Sequence, residues 1–188
     1  MKIILPENIS EITLDQFQRY YKLSQREDLD ELDFNKRKIE IFSKIPFQKV
    51  GNIKQSDYDF IIGQIDKALN VNCEFVDRFK MNGIEFGFIP NFDEMTVNEL
   101  GDIREYQDKE DELHKLMAIL FRPVSGKDLL GNYTIEDYNG TAKYSELMKQ
   151  TPMHIVNGAL GFFLSLHNEL EIAIQKSMVE ALTKGAAV

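Results

Sequence analysis

Apolar and polar positions are patterned most clearly between Phe75 and Pro123. Asn82-Gly83 is a strong hairpin signal, because both central residues of a type I′ turn require positive φ. With a two-residue loop, Phe79 faces Phe86 and Met81 faces Ile84 on one side, while Lys80 faces Glu85 on the other. The strand register is therefore self-consistent. After this hairpin comes Met95-Thr96-Val97-Asn98-Glu99-Leu100, with a Thr cap, a Glu three residues on, and apolar residues at both staple positions. A helix begins there.

Ile12-Thr13-Leu14-Asp15-Gln16-Phe17 carries the same start signal and predicts a helix over 14–24 with an aromatic face. Nothing downstream of the two copies matches, so they are two similar caps rather than a repeat. Residues 2–5 suggest a short edge strand bounded by Pro6, with the central hairpin as partner. Arg26 to Asp33 reads as a solvated acidic link, Phe34 to Ile45 as a helix ended by Pro46, and Asp57 to Leu69 as a helix capped by Ser56. The first 70 residues then form a helical N-terminal subregion feeding the hairpin.

Beyond the hairpin, the pattern predicts helices over 97–106 and 110–121, the second stopped by Arg122-Pro123. Residues 124–140 form the longest irregular stretch, with Tyr133-Thr134-Ile135 as a short strand inside it. A helix over 141–149 follows, and Thr151-Pro152 opens a last helix running to about Lys184, with a break near His167. Its apolar residues cover more than one stripe, so it must be buried on more than one side. For Ile155 to Leu166 the reading is a central helix of the domain. For Ile172, Ile174, Met178, Val179 and Leu182 it is a surface for a partner protein or for another copy of the chain, because a helix of about 50 Å outruns a domain of this size. The expected fold class is α+β, predominantly helical, with one central antiparallel β-hairpin at about 75–90 and a long C-terminal helix. The expected organisation is a single domain over 1–188, with helical subregions at 1–70 and 168–188.

Composition changes this picture little: 188 residues with 43% hydrophobic and 28% charged are ordinary for a globular chain. Charge changes it more, since 31 acidic residues against 22 basic give a net charge of −9, which repels nucleic acid and anionic lipid. No apolar run reaches the roughly 20 residues of a membrane span, and Met1 to Pro6 is too short for a signal peptide. The single cysteine, Cys73, forms no intrachain disulfide and points to a reducing compartment.

Candidate chemistry is sparse. His154 and His167 are separated by about 220° on one helix and cannot share a metal there. Asp111 and His114 supply half of one di-metal motif. Cys73 has no flanking pattern of an activated thiol, and the P-loop reading of Ser125-Gly126-Lys127 would need a glycine at Leu120 or Phe121. The expectation is no catalytic residue, no metal site and no cofactor.

The order of features, an Ile-Thr-Leu-x-Gln-Phe helix start, an Asn-Gly hairpin, His114 to Pro123 and a late helix from Pro152 to Phe163, resembles small morphogenesis proteins of tailed bacteriophages. Such proteins are tail assembly chaperones or minor structural parts of the virion. The resemblance implies a non-enzymatic protein of the bacterial host cytoplasm, or of the virion itself, that binds other phage virion proteins. Self-association is compatible with it. Tyr133 and Ile135, in the irregular stretch, join the C-terminal apolar residues as expected partner-binding positions. The alternatives are a permanent head-tail connector or ring protein and, in a different class, a small enzyme with a pocket of convergent titratable groups.

Overall fold

The computed structural model describes residues 4–71 and 73–166. Helices α1 (Leu14–Ser24), α2 (Glu31–Ser43), α3 (Phe47–Val50) and α4 (Gln55–Leu69) precede strands β1 (Arg78–Met81) and β2 (Ile84–Phe88). Then come α5 (Val97–Tyr106), α6 (Leu113–Leu120), β3 (Phe121–Lys127), β4 (Tyr133–Ile135) and α7 (Ser145–Met148). A helix, α8, occupies 153–166. The expected continuation of that helix to Lys184 lies outside the described residues.

The two predicted capping boxes form as read. Gln16 N donates to Thr13 Oγ1 at 3.3 Å and Thr13 N to Gln16 Oε1 at 3.0 Å. Glu99 N donates to Thr96 Oγ1 at 3.2 Å and Thr96 N to Glu99 Oε2 at 2.7 Å. Helix α2 starts earlier than expected, inside the acidic segment, because Asp30 accepts from Asp33 N and caps it. Helix α4 starts at Gln55 behind Lys54 with no side-chain cap, so Ser56 sits within the helix.

The hairpin has the register read from its residues: Phe79 opposite Phe86, Lys80 opposite Glu85 and Met81 opposite Ile84. Asn82 and Gly83 take φ of 49° and 77°, as a type I′ turn requires. It does not stand alone. The sheet has four antiparallel strands in the order β1-β2-β3-β4, with Phe86 opposite Pro123, Gly87 opposite Arg122 and Phe88 opposite Phe121. The single-hairpin expectation is corrected by β3, which begins where the sequence predicts a helix end. The helix expected over 110–121 is a 3-10 turn at Glu110–Glu112 followed by α6, which ends at Leu120; the chain continues directly into the sheet, and Ile89 N donates to the Leu120 carbonyl at 2.9 Å. Proline is tolerated because Pro123 O accepts from Glu136 N at 2.9 Å. The nitrogen and carbonyl of one residue share a side of an antiparallel strand, so the missing N–H faces the end of β4 and costs the β2 ladder nothing.

The stretch 124–140 is accordingly more regular than expected, since it holds the end of β3 and all of β4. The helix expected over 141–149 is confined to α7, and residues 4 and 5 are in no strand. One hydrophobic cluster runs from Ile9 to Ala159 and joins the N-terminal helices to the sheet. Its seam is aromatic: Phe88 packs edge-on to Phe75, Phe121 and Phe162 at 4.9, 5.2 and 5.6 Å between ring centres.

Candidate partner-binding surface

Tyr133 and Ile135 both lie on the edge strand β4, and both are half-buried. The Tyr133 ring covers Gly87, where an added Cβ would lie 2.5 Å from Tyr133 Cε2. Its hydroxyl donates to Phe88 O at 2.9 Å, and burial raises its pKa. Ile135 packs against the core. Both side chains therefore work inside this chain, holding β4 on β3 and β2. Ile172, Ile174, Met178, Val179 and Leu182 lie outside the described residues.

The apolar surface that β4 helps to display is one turn away. Between β3 and β4, Leu129 and Leu130 are fully exposed, at 105% and 88%. The turn that carries them is braced. Asp128 Oδ1 accepts from Leu130 N at 2.8 Å and Asn132 N at 2.9 Å, and Asp128 Oδ2 accepts from Asn132 Nδ2 at 2.7 Å. Gly131 supplies the positive φ, 89°, that closes the turn. Those hydrogen bonds, Asn132's first, hold the Asp128 carboxyl below its ordinary pKa. Lys127 Nζ reaches both Glu85 carboxylate oxygens at 2.7 and 2.8 Å and ties the base of the turn to β2. Residues 127–133 thus present two leucines on a fixed support. Asp-Leu-Leu-Gly-Asn carries the sequence signal for this, apolar residues embedded in turn formers, but not the information that nothing among the described residues covers them.

At the opposite end of the sheet is an apolar cleft of about 640 Å³ whose lining includes Phe92, Met95, Leu100, Ile103, Phe163 and Leu166. Asp93 and Arg104 stand on its rim.

No family model, curated protein or solved structure matches this chain.

Several polar and titratable groups in and around the core are paired or have pKa values shifted by burial. Glu99, which completes the capping box of α5, forms an ion pair through its second oxygen with Arg122 Nη2 at 2.6 Å. Tyr138 donates to Asp102 beside this pair, and burial first, then that carboxylate, push its pKa well above the ordinary tyrosine value. Burial raises the Cys73 thiol and lowers His114 and His154. His114 Nδ1 lies 3.1 Å from Gln18 Nε2 in the core. Among the described residues no three His, Cys, Asp or Glu side chains group to hold a metal, and no helix is long and apolar enough to cross a membrane.

Proposed function

We propose that this protein is a non-enzymatic bacteriophage virion-assembly protein that binds other virion proteins in the manner of a tail assembly chaperone. The observation that supports this reading is the braced pair Leu129-Leu130, an apolar contact surface that no covering element occupies among the described residues. Exposed apolar residues rimmed by polar ones mark protein-protein contacts. A rigid support lowers the ordering cost that binding would otherwise carry. The phage-like order of features in the sequence supplies the class of partner. A permanent connector or ring component is the second reading, and it differs only in whether the contacts persist in the finished particle.

The test is affinity purification of the tagged protein from phage-producing cells, with mass spectrometry of what accompanies it. Tail-tube or tape-measure proteins are expected with the native chain and lost with Leu129→Asp/Leu130→Asp. Recovery of portal or capsid proteins instead would favour the connector reading. Recovery of host metabolic enzymes alone would overturn both.

A further inference from the structure

A chain with a net charge of −9 gathers four cations into one groove between α1 and α2. Arg19 and Lys22, three residues apart on α1, share a helix face, and Arg26 follows just past the end of that helix. Arg37 comes from α2. All four line a space of about 280 Å³ together with the buried Leu23 and Ile41. No basic run in the sequence announces this groove, because its cations are collected from separate elements.

Three carboxylates bear on these cations, and they leave two of the four without a counter-charge. Asp28 has both oxygens taken by Arg26, at 3.0 and 2.6 Å. Glu40, the acid in the lining, accepts from Phe47 N at 3.0 Å through Oε1. Asp15 stands 3.8 Å from Arg19 in a half-exposed pair, which contributes little. Lys22 and Arg37 form no ion pair among the described residues. Arg37 is the more telling of the two. Its guanidinium lies over the Phe47 ring, 4.9 Å from the centre, and its Nε is enclosed with no partner among the described residues. A half-buried guanidinium with an enclosed, unbonded N–H carries a desolvation cost that a bound anion offsets.

We infer that this groove binds a phosphate group, carried by inorganic phosphate or by a small phosphorylated molecule. Arg37, oriented by its stack on Phe47, supplies the fork, and Lys22 and Arg19 supply cations from the other helix. A planar carboxylate is satisfied by one guanidinium, as Asp28 is by Arg26. A tetrahedral oxyanion directs oxygens toward several sides at once, and the cations here stand on two helices. The groove shares no residue with the leucine tip, so this site goes beyond the assembly reading and does not depend on it.

The test is isothermal titration calorimetry of the full chain with inorganic phosphate and, separately, with glycerol phosphate, in chloride buffer at constant ionic strength. Saturable one-to-one binding is expected, equal for the two probes if the free ion is the ligand and tighter for glycerol phosphate if a phosphorylated molecule is. Arg37→Gln is expected to weaken binding about tenfold or more, the loss of a charge-assisted hydrogen bond, with Arg37→Lys in between. Lys22→Gln alters an exposed side chain and is expected to keep the native circular dichroism while weakening binding roughly two- to fivefold, so the site is tested even where the Arg37 variants unfold. Lys80→Gln, an exposed cation on β1, is expected to change nothing. Absence of saturable binding for both probes overturns the inference. So does an equal loss in Lys80→Gln, which would mean attraction to surface cations at large. Binding of an oligoglutamate peptide where neither phosphate probe binds would assign the groove to an acidic protein segment and overturn it as well.

Discussion

Glu99 and Arg122 form a buried ion pair in which one carboxylate serves two helix-to-sheet tasks. Glu99 Oε2 closes the capping box with Thr96 N, and Glu99 Oε1 holds Arg122 on β3, with the two side chains 3% and 11% exposed. The guanidinium Nε has no partner among the described residues, so Glu99 is the main compensation for this charge. Arg122→Met leaves a carboxylate buried without its cation and is expected to lower stability by about 3–5 kcal/mol. Arg122→Met combined with Glu99→Gln removes both charges and should recover most of that loss. Urea denaturation of the two variants checks both values, and equal losses in each would show that the pairing is not what matters.

Gly87 and Gly158 are both places where a methyl group has no room, but their neighbours differ. At Gly87 an added Cβ meets the Tyr133 ring at 2.5 Å, and at Gly158 it meets the backbone carbonyl oxygen of Glu74 at 2.3 Å. A ring can rotate aside at a cost of about 1–3 kcal/mol. A carbonyl moves only with its chain. Gly87→Ala should therefore be partly rescued by Tyr133→Ala, whereas Gly158→Ala should cost more and have no single-residue rescue. Thermal melts of the three variants decide it.

The helix starts separate real caps from apparent ones. Thr13→Ala and Thr96→Ala each remove a capping oxygen and should cost about 1 kcal/mol. Ser56→Ala should leave stability unchanged, because α4 already runs from Gln55. Parallel denaturation curves with a common slope give the comparison.

Stability should fall as pH drops from neutrality into the histidine range. Burial lowers the pKa of both His114 and His154 below the ordinary 6.5. Below about 6.5 the unfolded chain binds more protons than the folded one, so stability present above that value is lost as pH falls toward the folded pKa. The groups facing His114 include Lys149 and Lys115, which add to the lowering, and Glu146 and Glu112, which oppose it. His114→Gln is expected to flatten the fall between pH 7.5 and 5.5, measured by guanidinium midpoints. An unchanged slope would assign the effect to other groups.

What was legible in the sequence was what neighbouring residues decide. Asn82-Gly83 and the Thr13 and Thr96 boxes depend on a few adjacent positions, and each formed as read, whereas the helix expected to run to Phe121 ends at Leu120. Strand β3 was hidden because Phe121-Arg122-Pro123 is locally a helix end. Only its pairing with β2, a distant contact, reveals which side of Pro123 needs no donor. The start of α2 was obscured by the acidity of its surroundings, within which Asp30 is a cap. The exposure of Leu129 and Leu130 was invisible for a different reason, since being uncovered depends on every other element.

The start of α1 is finished by residues near the far end of the described chain. Leu14 N bonds Thr151 O at 2.9 Å, Asp15 N bonds Lys149 O at 2.8 Å, and Met153 N returns to Ile12 O at 2.8 Å. At about 5–20 residues per second, on the order of ten seconds of synthesis separate the first helix from these partners. The nascent N-terminal helices must wait through that interval with two amide donors unclosed, so the order of translation makes the earliest helix among the last to be completed.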